Sequence, residues 1–414
     1  MSAPTTTVVA PGSRYLLIGA TLLLALGGLL FIYSASSAAD FVLKSDSAFH
    51  VKRQALFVVL GLVAMFVCSR ASSDLIRRAG LTLLVIADGM LGLVLVMGVG
   101  KFGAMRAIDI GITTIQPAEL ARLACVIVMA DILADRIRRP RPLKEDILKI
   151  GLVLGVPFAL IMAQPDMGAA VSIVVPVFFL AVLAGMPARW VAGTVVGLVG
   201  GLSILLPMAA YRSDRIASFL DPSRDPLGTG YQIIQAKLAF GSGGLFGVGL
   251  GLSRQKYFYL PAAHTDFIFA IIGEEVGLVG TLIVVATFGL LCYAGIRISL
   301  SLRDPYARLV AGGLTITIVT QAVINMSSVT GLIPVAGEPL PLVSYGGSSM
   351  LFTMGCIGLI LAMTRGGARA SVRTRPHVDD TEGTSRARTG ERRGDGRPHL
   401  SGIDGGRARQ RRRA

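Results

Sequence analysis

Residues 258–275 read FYLPAAHTDFIFAIIGEE and place a carboxylate, Asp266, at the mouth of a long apolar run, directly after His264 and Thr265. A carboxylate in a partly dehydrated cleft can take a proton from a hydroxyl, because loss of solvent raises its proton affinity toward the working pH. Arg212, Arg215, Lys237, Arg254 and Lys256 lie in the same part of the chain. Fixed cations of this kind suit a departing pyrophosphate. Plainer readings stand beside these: Asp near a helix start caps free amides, and interfacial Lys and Arg extend to lipid headgroups.

Other polar residues interrupt apolar stretches and pose a similar choice. Glu119 and Arg122, three positions apart, can neutralise one another or line a cavity. Glu274 and Glu275 are expected to face the interior, with Glu275 a candidate for shaping a cavity. Asp166 follows Pro165 and reads as a helix cap. Ser344, Tyr345, Ser348 and Ser349 surround Gly346 and Gly347, small residues that let membrane helices approach closely. The run GSGGLFGVGLG at 241–251 has neither the Lys of a phosphate-binding loop nor a strand before it. It is either a tightly turning backbone or a set of amides that approach a phosphate. His264 is expected to orient its loop, since no set of metal ligands surrounds it. Cys68, Cys125, Cys292 and Cys356 have no paired spacing and indicate neither disulfides nor a metal site.

The elements that must position these residues are membrane helices. Hydrophobic residues make up 53% of the 414 positions and charged residues 16%, with a mean hydropathy of +0.67. Apolar stretches long enough to cross a bilayer recur along the chain. We place spans near 15–34, 54–69, 80–100, 118–134, 147–163, 168–186, 189–209, 267–295, 308–332 and 341–363. The fold class is therefore an all-α polytopic integral membrane protein with about ten transmembrane helices. The span at 118–134 is the weakest, interrupted by Glu119, Arg122 and Asp131. The connection 135–149 holds Arg136, Arg138, Arg139, Arg141, Lys144 and Lys149, which places it and both termini in the cytoplasm. Asp266 then falls outside, at the end of a long extracytoplasmic loop between spans seven and eight. That loop contains YQIIQAKLAF, expected to be a short helix on the membrane surface.

Residues 1–13 are expected to be a disordered cytoplasmic terminus, 14–364 the membrane domain and 365–414 a disordered cytoplasmic tail. The tail carries 14 Arg against six acidic residues, +8 of the overall +15. Attraction to anionic lipid explains such a tail without nucleic acid.

The segments QPAELAR at 116–122, QPDMG at 164–168, GYQIIQAKLAFGSGGLFGVGLG, YLPAAHTDFIFAIIGEEVGLVG and PLPLVSYGGSSM at 339–350 together resemble the SEDS family (shape, elongation, division and sporulation), typified by FtsW and RodA. The resemblance covers about 14–364. It implies a peptidoglycan glycosyltransferase that polymerises lipid II, the undecaprenyl-pyrophosphate disaccharide pentapeptide, at the outer face of the bacterial cytoplasmic membrane. Asp266 maps to its catalytic carboxylate. Lys237, Arg254, Lys256, His264, Thr265, Glu119, Arg122, Glu275, Ser344, Tyr345 and Ser348 are candidates for substrate binding. A divalent cation, Mg or Mn, could sit at the pyrophosphate. The implied partners are a class B penicillin-binding protein and other division or elongation proteins, with no nucleic acid. Phe258 and Ala262 stand where many FtsW members have acidic residues, and PVAGEPLP resembles RodA. The unbroken spacing of GLGLSRQKYFYLPAAHTDF favours the FtsW type and a septal role. A lipid II flippase and a noncatalytic scaffold of the division machinery are the other readings.

Overall fold

The architecture comes from a computed structural model. It describes residues 11–97, 99–101, 104–109, 111, 114–140, 142, 144–187, 189, 193, 218–228 and 230–373. The helices are α1 (Pro11–Lys44), α2 (Phe49–Arg70), α3 (Ser73–Met97), α4 (Pro117–Arg138), α5 (Lys144–Ala163), α6 (Met167–Leu183), α7 (Tyr231–Gly243), α8 (Ile268–Ser301), α9 (Pro305–Val329) and α10 (Gly347–Arg373). Each expected span therefore has its helix, except 189–209, of which all but residues 189 and 193 lie outside the described residues. The helices overrun the hydropathy windows at several ends because backbone hydrogen bonding continues past the apolar middle. Helix α10 continues beyond the expected boundary at 364 to Arg373, and α1 starts at Pro11. The remainder of the expected terminal segments lies outside the described residues.

Burial sorts the helices into layers. Some 78% of the apolar windows of α9 and α10 is buried, against 22% in α2 and 28% in α3 and α5. The inner helices can carry polar residues because protein, not lipid, surrounds them. Helix α4 shows this most clearly. It packs on α3, α5, α6 and α9, buries Glu119 and Arg122, and pairs Asp131 with Arg77 of α3. Its weak hydropathy reflects an interior position. Helix α10 lies along α2 with backbone nearly touching side chain: a Cβ on Gly358 would come within 2.4 Å of the Met65 carbonyl, and one on Gly347 within 2.6 Å of the Phe57 ring. Gly346 has no such neighbour; its nearest is Ser349 Cβ at 3.5 Å.

Between α3 and α4 the chain forms a small antiparallel meander, β1 (Val99–Lys101), β2 (Ala104–Asp109) and β3 (Thr114–Ile115), where hydropathy alone had shown only a connection. It carries Arg106 to the α6 start.

The glycine run after α7 has a structural use. Helix α8 breaks at Gly277 (φ 71°, ψ −162°), and the run docks into the break. Gly249 N donates to Glu275 O at 3.0 Å and Val248 N to Glu274 O at 2.9 Å, while Leu278 N donates to Gly244 O at 3.0 Å. A Cβ on Gly277 would stand 2.4 Å from Gly247 N. Only glycine fits both this contact and a left-handed φ. The amides of 248 and 249 serve the kinked helix, which favours the tight-turn reading over a phosphate cradle. Helix α7 lies against α8, with Ile233, Ala236, Ala239 and Gly243 buried and Phe240 edge-on to Phe269.

Candidate functional site

Asp266 sits in a turn held at three consecutive carbonyls. Tyr345 N donates to His264 O at 3.0 Å, Ser344 Oγ to Thr265 O at 2.6 Å, and Asn325 Nδ2 to Asp266 O at 2.7 Å. The N-cap of α8 is Phe267, without a side-chain cap, so Asp266 stands one residue outside the cap position.

Most of these ties come from the loop 330–346, much of it buried and none of it helical. Non-helical backbone in such surroundings must have its polar groups satisfied by protein. Gln54 donates through Nε2 to Ser344 O at 3.3 Å and accepts at Oε1 from Gly346 N at 3.2 Å. Gln321 donates to Pro339 O at 3.3 Å, Asn325 to Glu338 O at 2.7 Å, and Leu340 N to Ser344 Oγ at 2.8 Å. The PLPLVSYGG segment is thereby a scaffold for the Asp266 turn. Ser344, a substrate-binding candidate from sequence, commits its hydroxyl to that scaffold. Tyr345 contributes its amide, with its ring against His264 at 5.7 Å between centroids.

A buried charge network adjoins the turn. Arg122 Nη2 lies 3.3 Å from Glu338 Oε2, both side chains under 5% exposed. Arg106 Nε lies 3.5 Å from Asp166 Oδ2, and Arg106 Nη2 donates to Pro165 O at 3.2 Å. Asp166 also caps α6, accepting from Ala169 N at 3.1 Å, as its sequence position suggested. Both the Arg106 guanidinium and the Asp266 carboxylate crowd Gly337: a Cβ there would be 2.6 Å from Arg106 Nη1 and 3.8 Å from Asp266 Oδ2. Arg122 pairs directly with Glu338 and also faces the Glu119 carboxylate, so the two readings of Glu119 and Arg122, mutual neutralisation and cavity lining, meet at one site. Glu119 lies beside Ser348 and Ser349, and its Oε2, like Arg122 Nη1, is buried without a hydrogen-bond partner. A small cavity opens here, lined by Glu119, Arg122, Thr317, Gln321, Thr353 and Cys356. Burial pushes the Glu338 carboxyl up to about 7; Arg122 opposes the rise, while Asp166 and Glu119 add to it.

The cations expected at a pyrophosphate separate. Lys256 is buried, with Nζ 3.7 Å from Glu275 Oε1 and donating to Gly251 O. Ser34 Oγ donates to the same Glu275 oxygen at 2.6 Å. Lys256 and Glu275 thus join α1, the loop and α8, and neither is open to a ligand in this arrangement. Glu274, also internal, accepts from Ser253 Oγ and from Arg254 N at 2.9 Å. Lys237 and Arg254 are exposed; Lys237 lies over the loop at Gly331. Arg212 and Arg215 lie outside the described residues. Sequence reasoning missed Arg106 and Glu338. Arg106 lies in a hydrophobically unremarkable connection, and Glu338 sits in a loop whose inward fold has no periodic signal.

Among the described residues no three His, Cys, Asp or Glu side chains converge as a metal-binding group. Cys68, Cys125, Cys292 and Cys356 are free thiols in this structure.

The helical bundle, its inward loop and the outlying carboxylate define a polytopic membrane protein with a polar site at one end of the bundle. The family model for FtsW/RodA/SpoVE, described as cell cycle protein, matches residues 14–367. The chain belongs to that family. It is 38% identical over 341 residues to a probable peptidoglycan glycosyltransferase FtsW of Trichlorobacter lovleyi, covering 82% of this chain and 90% of the relative. It is 41% identical over 355 residues to the stage V sporulation protein E of Bacillus subtilis, covering 84% and 96%. Its fold is similar to a chain of a peptidoglycan synthase complex that coordinates polymerisation and crosslinking, with a TM-score of 0.68, 30% identity, and coverage of 86% of this chain and 97% of that one.

Proposed function

We propose that the chain is a peptidoglycan glycosyltransferase that polymerises lipid II into glycan strands, with Asp266 as the general base. Its family and its named relatives support the reaction class. The observation that carries the assignment of the base is the Asp266 turn: three neighbouring carbonyls are tied down, the carboxylate and the Arg106 guanidinium both approach Gly337, and the cap position of α8 falls to Phe267.

The 4-hydroxyl of the incoming disaccharide attacks the anomeric carbon of the growing strand. Asp266 takes the hydroxyl proton as the new C–O bond forms, and the bond to the lipid pyrophosphate breaks with its electron pair leaving on phosphate. Positioned base catalysis of this kind contributes ~10²- to 10⁴-fold. Arg254 and Lys237 remain exposed to meet the pyrophosphate, and Arg106 stands beside the base. A divalent cation at the pyrophosphate would take most of its ligands from phosphate oxygens. The Glu119–Arg122 cavity has room for about one water.

The positive-inside distribution supports a cytoplasmic position for the 138–144 connection and an outer position for Asp266, hence a site facing lipid II on the outer leaflet of the bacterial cytoplasmic membrane. A class B penicillin-binding protein is the partner, in line with the synthase complex whose fold it shares, and the FtsW-named relatives favour the septum.

The test is Asp266→Asn in purified protein with lipid II and the transpeptidase partner, read as glycan length on a gel. Loss of ~10²-fold or more, with retained lipid II binding and thermal stability, is expected. Polymerisation above a tenth of wild type, a barrier change under ~1.4 kcal/mol, removes Asp266 as the base. Wild-type protein that transports lipid II without polymerising it would favour the flippase reading, and wild-type protein with neither activity the scaffold.

A further inference from the structure

The meeting point of α1 and α2 holds a charged aromatic cluster that the chemistry above does not use. Asp40, 1% exposed, ends the polar part of α1. Its carboxylate accepts from Ser36 Oγ at 2.9 Å and from His50 N at 3.1 Å, and pairs with His50 Nδ1. The His50 ring is therefore held through both its backbone and its Nδ1. It lies with its centroid 4.6 Å from that of His264, tilted by 44°, and 4.7 Å from that of Tyr345, edge to face. His264 and Tyr345 are the residues whose carbonyl and amide bond to each other at the start of the Asp266 turn.

We propose that Asp40 and His50 form a positioning pair for the Asp266 turn, acting through the rings of His264 and Tyr345. The inference rests on Asp266 as the base. Hydrogen bonds from the Asn325 and Ser344 side chains and the Tyr345 amide tie the carbonyls of the turn to α9 and to the inward loop; the ring contact adds a tie from α1 and α2. A buried carboxylate is costly unless fully paired. A bare connection between two membrane helices needs none, whereas a ring that must not rotate does. Asp40 fixes the orientation of the imidazole, as a carboxylate on Nδ1 does wherever ring direction matters. A fixed aromatic plate then restricts His264, two residues from the base. Misplacement of a reacting group by a fraction of an ångström is felt in turnover more than in substrate affinity.

The experiment measures kcat and KM for lipid II with the full-length protein and its partner, alongside thermal stability. His50→Ala is expected to lower kcat about tenfold with KM within twofold. Asp40→Asn acts in the same direction, and the double variant is no worse than His50→Ala alone, because Asp40 works only through the ring. His50→Phe restores a ring against His264 and Tyr345 and brings kcat back to within about threefold of wild type. An unchanged kcat in His50→Ala, multiplying effects in the double variant, a His50→Phe no better than His50→Ala, or a kcat loss that follows loss of folded protein each overturns the proposal. Asp266→Asn is run in parallel. If it polymerises normally, the assignment of the base fails; if it is inactive while the His50 series is silent, only the positioning pair fails.

Discussion

Lys256 is the sharpest place to separate a structural cation from a substrate-binding one. Its ammonium and the Glu275 carboxylate are 3.7 Å apart, with side chains 4% and 0% exposed. Lys256→Met keeps the stem and removes the charge, leaving Glu275, among the described residues, with the Ser34 hydroxyl at 2.6 Å. Removing one member of a buried pair costs about 3–5 kcal/mol, because the other charge is stranded. The remaining hydroxyl places this case at the lower end, about 3 kcal/mol. Since the pair joins α1, the loop after α7 and the kinked start of α8, the thermal midpoint in detergent should fall by several degrees. Adding Glu275→Gln removes the stranded charge and should restore at least half of the lost stability. The decisive measurement is polymerisation by the double variant at a temperature where it stays folded. A structural role predicts activity within about threefold of wild type. If Lys256→Met is as stable as wild type, or if the folded double variant is more than tenfold impaired, the ammonium acts on substrate and the structural account of Lys256 is wrong.

Glu338 gives a pH prediction. Its carboxyl is held up to about 7 in the folded protein by burial, against about 4.3 in an unfolded chain. The folded state therefore holds a proton that the unfolded state has lost, and stability should fall as pH rises across that window. Glu338→Gln should flatten the fall in thermal midpoints measured from pH 5 to 8; an unchanged slope would assign it to other groups. Gly277→Ala, with its Cβ 2.4 Å from Gly247 N and a left-handed φ, should displace the glycine run and sharply reduce folded protein on size exclusion, whereas Gly289→Ala, with nothing within 4 Å, should be neutral. Truncation after Arg373, the end of α10, should leave strand synthesis by partner-bound enzyme intact; loss at equal abundance would give the tail a catalytic role.

The sequence by itself determined the membrane class, because apolar runs of bilayer length, repeated along one chain, present far more hydrocarbon than a fold in water can bury. It also located α2, α4, α5, α6 and α9 to within about five residues at each end, whereas α1 and α10 run about ten residues past the expected ends. The order and spacing of QPAELAR, QPDMG and YLPAAHTDF carried the family, and with it attention to Asp266. The Asp166 cap was legible because capping is local, an oxygen reaching an amide three residues ahead. What only the tertiary structure decided are relations between distant residues. Arg122 found a direct ion-pair partner in Glu338, more than two hundred positions away, in addition to Glu119 one turn back. Lys256 turned inward to Glu275 when its neighbours Arg254 and Tyr257 stayed exposed. Arg106 reached the site on a strand with no apolar period, and the inward loop 330–346 folded where no helix could form, held by Gln54, Gln321 and Asn325. Hydropathy and local propensity report how each segment meets solvent or lipid, whereas the partner of a buried charge is set by which helices pack together, and packing is a property of the whole chain.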